Sequence, residues 1–309
     1  MQAVKSFMAL AAMAMLAACN ITTDQDKMGD VSRARLSIGA LFHHGPTKHD
    51  SQWRAETRTL ADVHKIQIKG PVDVDITVGV TPNLVVEGLA NLQNQVATHV
   101  DGDTLIIESG LMADIDNLHV KVSVRDLSAV RNSGFADVTV HGLLGNDLLV
   151  ESSGLGDIRL DGKLTTLHAS MDSSGDLDVM HLKVNDVDIE VPSTKDVSLG
   201  TLNADKLTVA VRGAGSVYAS GRVRVLKGSL TGSGDMDFRD LRADDVTLEQ
   251  NGKGAMTVYA THSIHARAAQ VRTQAKTQAE AEHETEPGYV TIHGKPPIRD
   301  VSESVRFWG

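Results

Sequence analysis

Between Ser128 and Ala266 the chain repeats itself every 19 or 20 residues. Counting from the residue after each glycine turn gives Asp137, Asp157, Asp176, Asp196, Ser216, Asp235 and Ala255, in steps of 20, 19, 20, 20, 19 and 20. The next position holds Val138, Ile158, Leu177, Val197, Val217, Met236 and Met256, and two further on come Val140, Leu160, Val179, Leu199, Ala219, Phe238 and Val258. A lone aliphatic residue follows: Leu164, Leu182, Leu202, Val223 or Leu241. A later segment carries Leu148, Leu167, Val187, Leu207, Leu226 and Val246, and two residues on, Val150, Ala169, Ile189, Val209, Gly228 and Leu248. Residues two apart share one face of a strand, so each repeat supplies short strands with one apolar face. A single unit cannot bury that face. Stacked units of equal length can, because like residues fall above like and each strand edge pairs with the next coil. The spacing predicts an all-β, single-stranded β-helix (a solenoid) with coils of about 20 residues. A propeller blade needs about twice the period.

An N-terminal β region is expected before the solenoid. From Thr57 the apolar residues alternate: Ile66, Ile68, Val72, Val74, Ile76 and Val78, then Leu84 and Val86, Leu105 and Ile107, and Val120, Val122 and Val124. Turns are predicted at Lys69-Gly70-Pro71 and Asp101-Gly102-Asp103. Aromatic residues make up only 3% of the chain, which suits a narrow aliphatic interior. The formal charge of -10 and pI near 5.7 argue against nucleic acid, whose phosphates require a basic surface.

The first 18 residues read as an export signal: Lys5, then the apolar run Phe7 to Ala18, too short to span a bilayer. The run closes on Leu16-Ala17-Ala18-Cys19, which resembles the lipobox of bacterial lipoproteins. That resemblance implies cleavage before Cys19, diacylation of its sulfur, with palmitate as a fitting label, and acylation of the new amine. Two or more acyl chains hold a protein stably on a membrane where one does not. By the sorting pattern of such lipoproteins, Asn20 implies the outer membrane rather than retention at the inner one. Residues 19–56 are expected to be a polar tether and 57–309 the β domain. Cys19 is the sole cysteine, so no disulfide forms within the chain.

Residues 266–286 are rich in Ala, Gln and Glu without an apolar stripe, and read as an exposed helix or a disordered insertion. A last β segment returns at Tyr289 to Gly294. At this point a family resemblance is complete. The run Arg58-Thr59-Leu60-Ala61-Asp62-Val63-His64-Lys65-Ile66 through Gly70 resembles the opening of the head-GIN domain, the autotransporter adhesin head, as does Gln95 through Ile107. The turns Ser153-Gly154-Leu155-Gly156-Asp157 and Gly232-Ser233-Gly234-Asp235 are similar, and so is the closing Val290-Thr291-Ile292-His293-Gly294-Lys295-Pro296. Departures are Ala136 and Lys195 in the glycine turns and the segment 266–286. The resemblance implies an exported β-helical module without catalytic residues to carry over.

Three constellations carry candidate chemistry. Asp137, Asp157, Asp176, Asp196 and Asp235 form a column at coil spacing, where neighbouring unit charges repel by roughly 1 kcal/mol at 4 Å in water. They read either as a calcium edge or as turn caps that accept backbone N–H groups; the capping reading is preferred. The neighbouring outward column runs Thr139, Arg159, Asp178, Ser198, Tyr218, Asp237 and Thr257, and Arg159, Asp178, Tyr218 and Asp237 are the candidate ligand-facing residues. His262, His265 and His283 are a weak metal candidate, since structural zinc takes four well-held ligands. No cofactor is expected. The functional expectation is a lipid-anchored, non-enzymatic binding, adhesion or structural module of the cell envelope, facing a glycan, an envelope protein or a neighbouring copy. The alternative is a polysaccharide-active β-helix enzyme, which would need long loops over an acid cluster.

Overall fold

The computed structural model describes residues 52–110, 118–192, 194, 196–268, 270–274, 289–293 and 298–302. The expected signal, Cys19, most of the tether, His283 and Lys195 lie outside them. The N-terminal part contributes β1 (Trp53–Arg58), β2 (Lys65–Lys69), β3 (Asp73–Val78), β4 (Asn83–Leu89), a single helical turn α1 (Ala90–Gln93), β5 (Val96–Asp101), β6 (Thr104–Ser109) and β7 (Leu118–Val124). The repeat follows as β8 (Ala129–Asn132), β9 (Val138–Leu144) and β10 (Asp147–Ser152). Long bent strands come next: β11 (Ile158–Met171), β12 (Leu177–Val191), β13 (Val197–Val211), β14 (Val217–Leu230), β15 (Met236–Gln250) and β16 (Met256–Arg267). Last are β17 (Gln270–Gln274), β18 (Tyr289–His293) and β19 (Ile298–Ser302).

The protein is a β-solenoid of about 7 turns with coils of roughly 20 residues, preceded by N-terminal strands. Each strand from β11 to β16 lies parallel on its predecessor, nearly in register: Ile158 on Leu177, Val197 on Val217, Met236 on Met256. Within β11 the side chains of Ile158 and Leu160 point inward, then Leu164, then Leu167, Ala169 and Met171. The intervals of four and three between these groups break the period of two, and there the strand bends. Each coil therefore has three straight segments, and all the predicted inward columns are buried. A third inward residue in the last segment (Met171, Val191, Val211, Leu230) completes the packing.

Interior volume is balanced between coils. Gly228 lies in register with Leu248, and a Cβ added there would come within 2.9 Å of Met256 Cε, 3.0 Å of Leu248 Cδ2 and 3.3 Å of Met236 Sδ. The missing side chain makes room for two methionines. Packing near crystal density leaves no slack for another.

Both ends depart from simple winding. In space β2 and β3 lie between β6/β7 on one side and β8/β9 on the other, although the chain makes β6 and β7 in between. Beyond β7, β4 runs antiparallel and β1 pairs antiparallel to β4, while β5 pairs antiparallel to β6. At the other end β18 lies on the first part of β16 and carries β17 on its far edge, and β19 lies on the last part of β16.

Two expectations are corrected here. The tether was expected to extend through residue 56, yet β1 begins at Trp53; its side chains are largely exposed, so no apolar alternation marked it. Residues 266–286 were expected to be helix or disorder from their first residue. Instead β16 runs to Arg267 and 270–274 form β17, which among the described residues pairs with β18.

Glycine at the turn follows from the stacking. A Cβ on Gly154 would lie 1.7 Å from the carbonyl oxygen of Gly134, and one on Gly232 1.7 Å from that of Gly213. Gly154→Ala is expected to destabilise the fold by several kcal/mol, since backbone on both sides must move. At Gly110 an added Cβ meets nothing within 4 Å, and Gly110→Ala should change stability by less than about 1 kcal/mol. Urea unfolding of both variants measures the contrast; equal midpoints would mean that the turns do not approach as described.

Candidate functional site

The turns and the first straight segment hold the predicted polar columns. At the turn, backbone groups of successive coils bond directly: Ser153 N donates to Asn132 O (2.9 Å) and Leu155 N to Gly134 O (3.1 Å). The aspartates act in the same ladder. Asp157 N donates to Asp137 Oδ1 (2.9 Å), Asp176 N to Asp157 Oδ1 (3.0 Å), Ser216 N to Asp196 Oδ1 (2.7 Å), and Ala255 N to Asp235 Oδ1 (2.6 Å). Ser216 continues the series with its hydroxyl, which accepts from Asp235 N at 3.2 Å. The carboxylates of Asp137, Asp157, Asp196 and Asp235 thus accept the amide of the equivalent residue one coil on, while Asp176 enters the ladder through its own amide.

Sequence reasoning missed the first rung. Asp73 Oδ1 accepts from Asp137 N at 2.9 Å, and burial raises the Asp73 carboxyl above its ordinary pKa. The run Gly70-Pro71-Val72-Asp73, with aspartate three residues after glycine as in Gly134 to Asp137, was the available signal.

The outward column is brought together in register: Thr139 beside Arg159, Arg159 beside Asp178, Ser198 beside Tyr218, Tyr218 beside Asp237. Much of its polarity is used locally. Asp178 Oδ1 accepts from Met180 N (2.9 Å), Ser198 Oγ from Gly200 N (3.4 Å), and Asp237 Oδ1 from Arg239 N (3.3 Å). These side chains cap the bulge at which the strand register shifts. Arg159 turns toward the aspartate ladder, 3.0 Å from Asp157 Oδ2 and 3.5 Å from Asp137 Oδ2. Arg239 closes on Asp237 with Nε at 2.8 Å and a terminal nitrogen at 2.8 Å, and this pairing raises the guanidinium pKa. Tyr218, 43% exposed, presents the column's one aromatic ring to solvent. Thr257 is corrected: expected outside, it is only 5% exposed, flanked in register by Asp237 and Thr291.

One coil beyond Tyr259, His293 is buried beside this column. Burial first, then the charge of Arg239, lowers its pKa below the usual 6.5, against a smaller opposing pull from Asp237. At the first bend, Asp161 accepts from Gly142 N (2.8 Å) and meets His141 Nδ1 at 2.5 Å. Burial acts to raise the Asp161 pKa, but Gly142, His141 and His181 together bring it below the ordinary value. His262 and His265 are exposed on β16. Among the described residues no three His, Cys, Asp or Glu side chains gather as a metal site.

A cleft of about 330 Å³ opens where the first full coil overlies the loop after β7, between Val78, Asp126 to Ser128, and Leu143 to Asp147. It holds two carboxylates, Asp126 and Asp147; Asp126 is paired with the His64 ring. Leu144 at its rim is 76% exposed.

Fold and site together define a parallel β-solenoid whose polar chemistry lies in columns along its outer surface. The family profile described as "Putative auto-transporter adhesin, head GIN domain" matches residues 62–199 and 179–271, and the chain belongs to that family. Among solved structures, a "putative adhesin" from Parabacteroides distasonis is similar in fold at 19% identity and a TM-score of 0.50, over 84% of this chain and 96% of that one. A "putative adhesin" from Bacteroides fragilis aligns over 84% and 96% at 17% identity and a TM-score of 0.42. A "Putative lipid binding protein" from Parabacteroides distasonis aligns over 84% and 98% at 15% identity and 0.45. No curated protein matches the chain.

Two outcomes test this site. Asp157→Ala removes the acceptor of the Asp176 amide and should cost about 1 kcal/mol, while Asp157→Asn keeps an acceptor, sheds charge and should cost less. Calcium should leave the melting temperature of both unchanged; a rise with calcium in the wild type that Asp157→Asn abolishes would make the ladder an ion site. His293 titrates in the opposite sense to a paired histidine. Its folded pKa lies below its unfolded one, so the unfolded chain takes up the proton first. Stability should fall as pH drops through about 6.5 and level off below the folded value. In thermal melts across that window, His293→Gln should lose part of this slope; an unchanged slope would show that His293 protonates freely.

Proposed function

We propose that the protein is a lipid-anchored module of the cell envelope, held through Cys19 at the outer membrane, whose solenoid binds a partner without transforming it. The observation that carries this reading is the regular outward columns on coils joined by short turns. Side chains such as Tyr218, Arg159 and Lys183 lie along the stack and diverge into solvent, whereas catalysis needs titratable groups converging on a site that excludes water. Membership of an adhesin-head family supports the binding role, and the adhesin names of similar folds agree with it. The ligand classes that fit are a glycan, an envelope protein or a neighbouring copy.

One observation favours a second reading. The cleft beside β9 and β10 holds Asp126 and Asp147, and a polysaccharide-active enzyme would place an acid and a base in such a position. The two readings separate cleanly. Purified protein should leave pectin, alginate and peptidoglycan intact; turnover that disappears in Asp126→Asn or Asp147→Asn would establish the enzyme. Anchoring is tested on cells. Wild type should take up radioactive palmitate and fractionate with the outer membrane, and Cys19→Ala should do neither. A wild type that takes up no label overturns the lipoprotein reading.

A further inference from the structure

The middle segment of each coil carries an outward position whose occupants differ in kind from those elsewhere. It holds Lys163, Lys183, Asn203, Arg222 and Arg242 on five consecutive coils. Lys163 lies in register beside Lys183, and Arg222 lies between Asn203 and Arg242. The 20-residue offset that pairs Asp186 with Lys206 carries Lys183 to Asn203. All five are exposed.

Like charges directly opposite on neighbouring strands destabilise a sheet, and here two such pairs stand about 4.8 Å apart, the spacing of adjacent strands. At other positions opposite charges meet in register, as where Arg131 pairs with Glu151, and the like-charged aspartates of the turn ladder accept backbone amides. The basic column is only partly neutralised. Arg222 reaches Asp244 at 3.7 Å, and Arg242 lies over the Tyr259 ring at 5.7 Å from its centroid. Among the described residues neither Lys163 nor Lys183 has an ion-pair partner. A protein of net charge -10 thus keeps a straight line of cations, at a cost in repulsion that an external anion would relieve.

The flanks decide what kind of anion fits. On one side of the column lie Asp161 and Asp240, on the other Asp205 and Asp244 with Arg224 between them. A flat anionic bilayer would press on these carboxylates as well as on the cations. One anionic chain lying along the column would meet cations at every coil but that of Asn203, whose amide can donate a hydrogen bond. We infer that the column Lys163, Lys183, Asn203, Arg222 and Arg242 binds a single linear acidic polysaccharide, a uronic-acid polymer, laid along the solenoid axis. This rests on the binding-module reading above and gives that module its ligand class.

The test is fluorescence anisotropy of labelled polygalacturonate oligomers with the full-length protein in detergent, beside neutral dextran and phosphatidylglycerol vesicles. Wild type should bind polygalacturonate but not dextran, and salt should weaken the binding by screening. Lys163→Glu with Lys183→Glu, and separately Arg222→Glu with Arg242→Glu, should each weaken it by about tenfold or more. Lys227→Glu, an exposed cation on another segment, should leave it unchanged. Melting curves establish that the variants are folded, and Gln in place of Glu supplies a milder pair where reversal impairs folding. Equal affinity of wild type and column variants overturns the assignment, as does binding of the vesicles in preference to the polymer. Cleavage of the polymer would defeat the non-enzymatic reading instead. A polymer neither held nor cleaved, with palmitate still incorporated at Cys19, defeats the column assignment alone.

Discussion

Successive turns of this solenoid touch through their backbones, and that contact sets the spacing of everything else. Phe135 N donates to Gly70 O at 2.9 Å, Leu155 N to Gly134 O at 3.1 Å and Lys253 N to Gly232 O at 3.0 Å. Turns bonded this way leave no layer between them for a side chain, which is why Gly134, Gly154, Gly232 and Gly252 each face the preceding turn's carbonyl. With the tips fixed at strand spacing, the segments on either side must also fall one strand apart. Parallel pairing, the inward columns and the outward columns then follow from one repeat length. The steps of 19 and 20 differ by one residue, and the bulges near Arg159, Ser198 and Tyr218 take up irregularities in the pairing without disturbing the turns.

Equal stacking has an electrical consequence. Where a position holds the same charge on successive coils the copies stand one strand apart, so a column of like residues accumulates repulsion. The aspartate ladder answers this by putting a backbone N–H against the carboxylates of Asp73, Asp137, Asp157, Asp196 and Asp235, and Arg159 adds a cation beside Asp137 and Asp157. The ion pair of Arg131 with Glu151 answers it by alternating sign in register, and that of Arg212 with Glu190 joins neighbouring coils diagonally. Such exposed pairs contribute little stability individually. Their effect is to prevent accumulation, and the basic column of the middle segments stands out because neither device operates fully there.

The repeat was legible because burial imposes it: a one-residue slip would turn Ile158 and Leu160 outward along with every residue of their segment. The same reasoning read the turns, the solenoid class and the columns to which Arg159, Asp178, Tyr218 and Asp237 belong. It did not read what those side chains bond to. Asp178 and Asp237 reach amides two residues on, while Asp157 reaches an amide 19 residues on, and aspartate beside a turn suits either. Strands that show no apolar face in sequence were equally illegible. β1 and β17 carry no apolar alternation, and the placement of β2 between β6 and β8, and of β3 between β7 and β9, depends on partner choice, which periodicity does not encode.

The ends of a solenoid pose a problem that the repeat cannot solve, because each coil presents the same unpaired edge that the next coil uses. An unmodified end would add a coil from another molecule as readily as one of its own. At the N-terminal end the chain reverses strand direction: β4 runs antiparallel to β7, β5 antiparallel to β6, and α1 buries Leu92 and Gln93 there. Gln93 donates to Arg54 O at 2.8 Å and to Val86 O at 2.9 Å, and Arg58 donates to Val96 O at 2.6 Å and Gln93 O at 3.1 Å. Backbone acceptors at this end are thereby occupied by side chains of the same chain. Among the described residues β1 lies outermost beyond β4, and its direction and largely exposed polar side chains do not match a parallel apolar coil. At this end, growth by copying the repeat stops where the strand direction changes.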